Sequence, residues 1–360
     1  MNIKFLIRDL QIEGVQIVII RLARLLQKNG HDVEIITLYE KTKLTNLEDL
    51  SITSLNIPEN IRDIKIIQPY FEQWYESLKS FDLLLAPHSE SIKLIAKYSD
   101  SRLIPYIHNS DEPSFNKRGF LKKIRYKYRI RKRLKGKRIL CVSEGINRFT
   151  KECCRSSIRS IHTLYNPFDI ENTVKLSNYP IKENNFGDYV IFVGRLEKQK
   201  RIDRLLRTFS LLKNKSINLL IMGEGHLLQE LKSLANDLNV DNRVIFTSFE
   251  INPYPLMKQA RCSVLTSDHE GFGNVLVESL IVGTPAISID CPSGPDEILT
   301  GELSKYLIHS YDEKVIAERI DALLEDRDIP DLSAGYEKFT EEKVYQSFMT
   351  IVEQWNNDKH

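Results

Sequence analysis

Short, nearly unbroken apolar runs alternate with amphipathic segments of helix length along almost the whole chain. "IKFLI" leads into a helical segment ending at "KNG", where Gly30 serves as a C-terminal stop, and "DVEIIT" follows. "DLLLAP", "SRLIPYI" and "RILCVS" extend the series to about residue 164; it restarts with "YVIFVG", "INLLIMG", "RVIFT", "CSVLT" and "PAISI". Apolar strands without polar alternation, separated by helices, belong to parallel sheets covered on both faces. A chain of 360 residues exceeds one ordinary core. Residues 166–188 carry two prolines, much Asn and no apolar periodicity, so they read as the connection between two halves. The expected class is α/β: two doubly wound parallel-sheet domains, 1–167 and 168–340, facing across a cleft, with a last helix in 341–360.

Composition narrows the function. With 42% hydrophobic and 28% charged residues the chain reads as a soluble globular protein, and a net charge of +2 is too small for a dedicated nucleic-acid binder. The five cysteines, including the vicinal pair Cys153 and Cys154, lie mostly in apolar runs and fit buried thiols in a reducing cytoplasm. No run approaches the ~20 apolar residues of a membrane span. "MNIKFLIRDL" meets a charge too early for a signal peptide, so the protein is expected to stay in the cytoplasm.

In doubly wound sheets ligands sit outside the carboxyl ends of strands. Four such places carry reactive residues: "IRDLQIEG", "YIHNS", "VGRLEKQKR" and "TSDHEGFGN". In the last, Gly271 and Gly273 let backbone approach a ligand, and a helix from Asn274 turns free N–H groups and its positive dipole end to the same spot. An anion is favoured there. Glu270 and Glu278 would repel it, so they fit better as acceptors from neutral hydroxyls, and a sugar attached to a phosphate supplies both kinds of group. In "VGRLEKQKR", Gly194, Arg195 and Lys200 follow a strand, and a guanidinium fork with a compact ammonium suits two adjacent phosphates. No P-loop pattern is present.

From about residue 140 to 300 the chain resembles the retaining glycosyltransferases of family 4, which have the GT-B fold of two Rossmann-like domains. The resemblance is carried by "CVSEGI", "YNPFD", "VGRLEKQKRIDRLL", "IMGEG", "NRVIF", "DHEGFGNVLVESLIVGTP" and "DCPSGPDEIL". Two glutamates with seven residues between them, Glu270 and Glu278, match the family signature. "EGVQIVIIRLARLLQKNGHDVEIIT" is similar to the family's Gly-rich first loop and helix; Gly14 remains, while Glu13 stands where a second glycine is common. The resemblance implies that Arg195 and Lys200 hold the donor diphosphate, that Glu278 binds ribose hydroxyls, and that Glu270 meets the transferred sugar. It further implies that Gly14, Gly194, Gly271, Phe272, Gly273 and Asn274 line the donor, that His108 approaches the reacting sugar, and that the last helix crosses back onto the first domain. The implied activity moves a hexose or N-acetylhexosamine, with retention, from a nucleotide sugar, UDP by family habit, to a growing surface glycan such as capsule. No cofactor and no metal are implied. An epimerase of sugar nucleotides on the same fold, or a non-catalytic adaptor, stands as the alternative.

Residues 116–138 hold thirteen Lys or Arg and no acid, interleaved with aromatic and aliphatic residues. As a helix this segment suits anionic lipid headgroups, and no accompanying motif supports nucleic acid as the partner. Lys122, Lys123, Arg125, Lys127 and Arg129 are therefore expected at the inner membrane face, near a glycan or polyprenyl-diphosphate-linked acceptor.

Overall fold

The computed structural model describes residues 1–181 and 186–357. It contains two compact units, Met1–Phe168 together with the segment from Glu341, and Asp169–Thr340. Of the expected connection 166–188, residues 182–185 lie outside the described residues, as do 358–360 of the final segment.

The first unit is built on β1 (Asn2–Ile7), β2 (Asp32–Thr37), β3 (Ser51–Ser54), β4 (Leu83–Ala86), β5 (Leu103–Ile107), β6 (Arg138–Cys141) and β7 (Ser160–Thr163). The second holds β8 (Tyr189–Val193), β9 (Asn218–Met222), β10 (Val244–Thr247), β11 (Cys262–Leu265), β12 (Ala286–Ile289) and β13 (Leu307–Ile308). All pairings are parallel, in the orders β3-β2-β1-β4-β5-β6-β7 and β10-β9-β8-β11-β12-β13. Strands β4, β6, β8, β11 and β12 are buried at every position, so helices cover both faces.

Each sheet is wound outward from one strand and then returns to that strand's other side. The reversal falls between β1 and β4 in the first unit and between β8 and β11 in the second. Loops leaving such a pair diverge, and the crevice they leave is where ligands of open α/β sheets bind.

The helix Glu341–Asn357 belongs to the first unit. Its buried Val344, Phe348, Ile351, Val352 and Trp355 form one helical stripe. Trp355 donates its indole N–H to Ser160 Oγ at 3.1 Å, Tyr345 hydrogen-bonds His31 at 3.1 Å, and Lys28 pairs with Glu341 at 3.1 Å.

The connection is more ordered than its sequence indicates, because it contains the helix Ile170–Ser177, capped by Asp169 accepting from the Asn172 N–H at 3.0 Å. The buried face of this helix is made by Thr173 and Ser177, one turn apart. Each hydroxyl bonds back to its own helix, at Asp169 and Val174, so burial here leaves no apolar period to read. All five cysteines are free and buried, and burial pushes the Cys153 and Cys154 thiols up to about 11.

Candidate active site

At the second switch point two loops are joined by named bonds. After β8 the chain runs through Gly194 and Arg195 to a tight turn at Lys198–Lys200. The Gly194 N–H donates to Met222 at 3.0 Å and the Leu196 N–H to Glu224 at 2.8 Å, which seats this turn on the loop after β9. A Cβ at Gly223 would fall 1.8 Å from the Gly194 carbonyl oxygen, so only glycine permits the contact. "GEGH" thus forms the floor of the cationic turn.

After β11, the Asp268 N–H donates to the Gln199 carbonyl at 2.9 Å and the Gln199 amide returns a bond to His269 at 2.8 Å. Arg204, buried, donates to the Thr266 carbonyl at 2.7 Å and to Asp268 at 2.9 Å. Arg201 adds a bond to the same carboxylate at 3.1 Å. Held by these links, Lys200 Nζ lies 2.8 and 2.9 Å from the two oxygens of Glu270, a pair with side chains 16% and 7% exposed. Removing water from both charges makes each depend on the other.

Three residues on, the bend enters the helix Asn274–Ile281 through Gly273, at φ +97°. Phe272 is buried edge-on against Phe339, ring centroids 4.8 Å apart, so its side chain anchors the bend in the core. The Glu270 N–H donates to the Pro292 carbonyl at 3.2 Å, and Gly294 sits so close that a Cβ there would lie 1.8 Å from the Phe272 carbonyl oxygen. Glu278, half-buried, accepts a long 3.5 Å hydrogen bond from the Tyr254 hydroxyl. Arg195 stands apart from the central pair: it is exposed and donates to Glu197 at 2.8 Å.

In the first unit, the loop after β1 is tied by charge. Arg8 donates to Asp9 at 3.0 Å and to Glu13 at 2.7 Å, and Asp9 accepts from buried Gln16 at 2.9 Å. Gly14 opens the helix Gly14–Lys28 with open space where a Cβ would stand, so packing does not demand glycine. His108, after β5, is buried with its ring 4.2 Å from Tyr106. Burial, then His88, push its pKa down to about 3. His88, after β4, is a residue that sequence reasoning missed. Its Nδ1 accepts from the Arg8 N–H at 3.4 Å, so the neutral ring carries its proton on Nε2. Burial and then Arg8 lower it to about 4. The Nε2 atoms of both histidines are buried without a hydrogen-bond partner among the described residues. His88 could be found only from strand order, which makes β4 the switch partner of β1.

The basic segment forms the helix Phe120–Leu134. Lys122, Arg125 and Arg129 are exposed. Lys123 and Lys127 are half-buried, each Nζ 5.4 Å from the Phe115 ring centre, and Lys127 pairs with Glu152 at 2.8 Å. These two cations serve the unit's own packing as well as any outside partner.

Residues 12–172 match the family model for Glycosyltransferase Family 4, and residues 180–342 match Glycosyl transferases group 1. The chain belongs to the GT-B glycosyltransferases of the family 4 type. An uncharacterized glycosyltransferase of Methanocaldococcus jannaschii is 38% identical over 146 residues, 39% of this chain and 36% of that protein. The N-acetylgalactosamine-N,N'-diacetylbacillosaminyl-diphospho-undecaprenol 4-alpha-N-acetylgalactosaminyltransferase of Campylobacter jejuni is 32% identical over 172 residues, 47% of this chain and 46% of that one. The matches span less than half the length of these relatives. The structure of Anabaena HepE in complex with UDP superposes with a TM-score of 0.79 at 17% identity, covering 98% of this chain and 100% of that one; at that identity the likeness shows the GT-B fold. Among the described residues no helix is long and apolar enough to cross a membrane.

Proposed function

We propose that the protein transfers a hexose or N-acetylhexosamine from a UDP-sugar, with retention of configuration, to a growing and lipid-linked surface glycan. It would work as a peripheral protein on the inner face of the cell membrane. The observation that carries this reading is the seating of Lys200 on Glu270 beside the start of the helix Asn274–Ile281, at the switch point of the second sheet. A cation, an amide-rich bend and the Glu270 carboxylate meet there, with Glu278 further along the same helix, and a diphosphate flanked by two sugars would call on all of them. UDP bound to HepE and the undecaprenol-linked acceptor in the Campylobacter relative's name support the choice of donor and acceptor.

In the transfer the bond from the sugar C1 to the diphosphate oxygen breaks, and its electron pair leaves with the nucleotide. The acceptor hydroxyl oxygen bonds to C1, and its proton passes to the departing diphosphate oxygen. Negative charge therefore grows on the diphosphate, where Lys200 and the amides of Gly271–Asn274 oppose it. Arg195 can join by leaving its exposed contact with Glu197. Glu278 takes ribose hydroxyls and Glu270 those of the sugar. No step calls on a metal or cofactor.

Removing one preorganised donor costs about 2.7–4 kcal/mol of barrier. Lys200→Ala should thus lower UDP release from UDP-sugars by roughly a hundredfold or more, as read in a coupled UDP assay. Turnover within about threefold of the parent would sink the clamp. An epimerase would instead convert the donor without releasing UDP.

A further inference from the structure

We propose that the helix Phe120–Leu134 binds an anionic bilayer by inserting an apolar stripe, and not by charge attraction alone; this rests on the membrane reading of the basic segment. Phe120 and Leu121 are the most exposed large apolar side chains among the described residues, at 77% and 79%, and Ile124 and Tyr128 on the same helix are exposed at 51% and 67%. At 3.6 residues per turn these four positions fall within about 100° of the helix circumference. They form one face.

That face is not the one on which the helix packs. Tyr126 and Leu134 are buried and Ile130 half-buried on a separate side, with Tyr126 against Phe115 and Phe149 and its hydroxyl donating to Asp111 at 3.0 Å. The outer stripe is thus surplus to the unit's own core, and a merely solvated helix has no use for it. Exposed Lys122, Arg125, Arg129 and Lys132 lie along its other border. Phe120 and Ile124 also edge a cleft of about 400 Å³ lined by Phe115 and Phe149 together with Lys123, Lys127, Glu112 and Glu152. Apolar residues bordered by cations on a surface-lying helix match the boundary between acyl chains and anionic headgroups. A nucleic-acid backbone would reward the cations and leave Leu121 and Ile124 in water.

The two contributions separate by salt. Headgroup attraction is screened at high ionic strength, whereas apolar insertion persists. The parent protein should co-float with vesicles of mixed phosphatidylcholine and phosphatidylglycerol at low salt and retain a bound fraction in 1 M NaCl. Phe120→Ser/Leu121→Ser should lower the partition coefficient at high salt by roughly tenfold or more. Both positions are exposed, so unchanged thermal unfolding and UDP binding would show an intact protein. A Leu121→Trp variant should give fluorescence quenched by lipids brominated on their acyl chains, measured against the parent's Trp74 and Trp355.

Flotation at low salt that vanishes completely in high salt, or serine variants that bind as the parent does, would overturn insertion while leaving electrostatic membrane contact standing. Absence of flotation even at low salt would overturn both. So would a concentration-dependent dimer that does not float, or binding to a DNA or RNA probe in its place. UDP release can survive every one of these outcomes, so the glycosyltransferase reading is judged separately.

Discussion

At the scale of single residues the site is organised by one ion pair. Lys200 and Glu270 are both largely withdrawn from water, and breaking such a pair by removing one partner costs far more than the pair contributes when whole. Lys200→Ala leaves the Glu270 carboxylate unopposed at the place proposed for a diphosphate, so lost attraction is joined by repulsion. Lys200→Ala/Glu270→Gln should therefore bind UDP roughly tenfold more tightly than Lys200→Ala alone, by calorimetric titration. An equal or weaker affinity in the double variant would show that the carboxylate does not face the nucleotide. The sequence singled out both residues, because a strand-loop-helix run exposes its chemistry in linear order. It did not show that they pair, nor that Arg204, Arg201 and Asp268 fasten the two loops: contacts across more than sixty residues leave no local pattern. Arg195 and Lys200 read as equals in the motif, yet Glu197 holds one and Glu270 the other.

At the scale of elements, legibility followed burial. Ten strands were visible as apolar runs, since strands covered on both faces can carry little else. The three missed were β3, whose positions are exposed or half-exposed, β7, half-buried throughout, and the two-residue β13. All three are edge strands or their equivalents, where polar residues are tolerated. Turns were legible as turns but not as contacts. "DCPSG" reads as a rigid bend, while the structure shows it holding the Glu270–Asn274 segment in place through Pro292 and Gly294. Gly294 is at φ +110° with the Phe272 carbonyl pressed against it, so Gly294→Ala meets both backbone strain and a clash. The strain alone costs on the order of 1–3 kcal/mol, and relief of the clash must displace the bend. Gly301→Ala, at φ +59° with open space, meets strain only. Gly294→Ala should lower the unfolding midpoint and abolish the further rise given by UDP, whereas Gly301→Ala should lower the midpoint and keep that rise.

At the scale of the molecule, acid should loosen the first unit. His88 and His108 are held neutral in the first unit, at about 4 and about 3. His31, where the C-terminal helix docks, is also lowered, by burial and then by the N-terminal charge. In the unfolded chain these rings protonate near pH 6.5, so below that point the unfolded state binds more protons than the folded one. For the buried His88 and His108 each such proton costs about 1.4 kcal/mol of stability per pH unit, from about 6.5 down to the folded value and no further, while His31 adds to the loss in the same direction. All three rings lie in Met1–Phe168. Hydrogen exchange at pH 5 against pH 7 should therefore reveal opening first in peptides around β1, β4, β5 and the helix Glu341–Asn357. His88→Gln/His108→Gln removes the two buried rings with lowered values, so its plot of stability against pH should be flatter over the same interval, even if its stability at pH 7 is lower. Earlier opening of peptides around β8 and β11, or an unchanged slope in the double variant, would mean that acid sensitivity resides elsewhere.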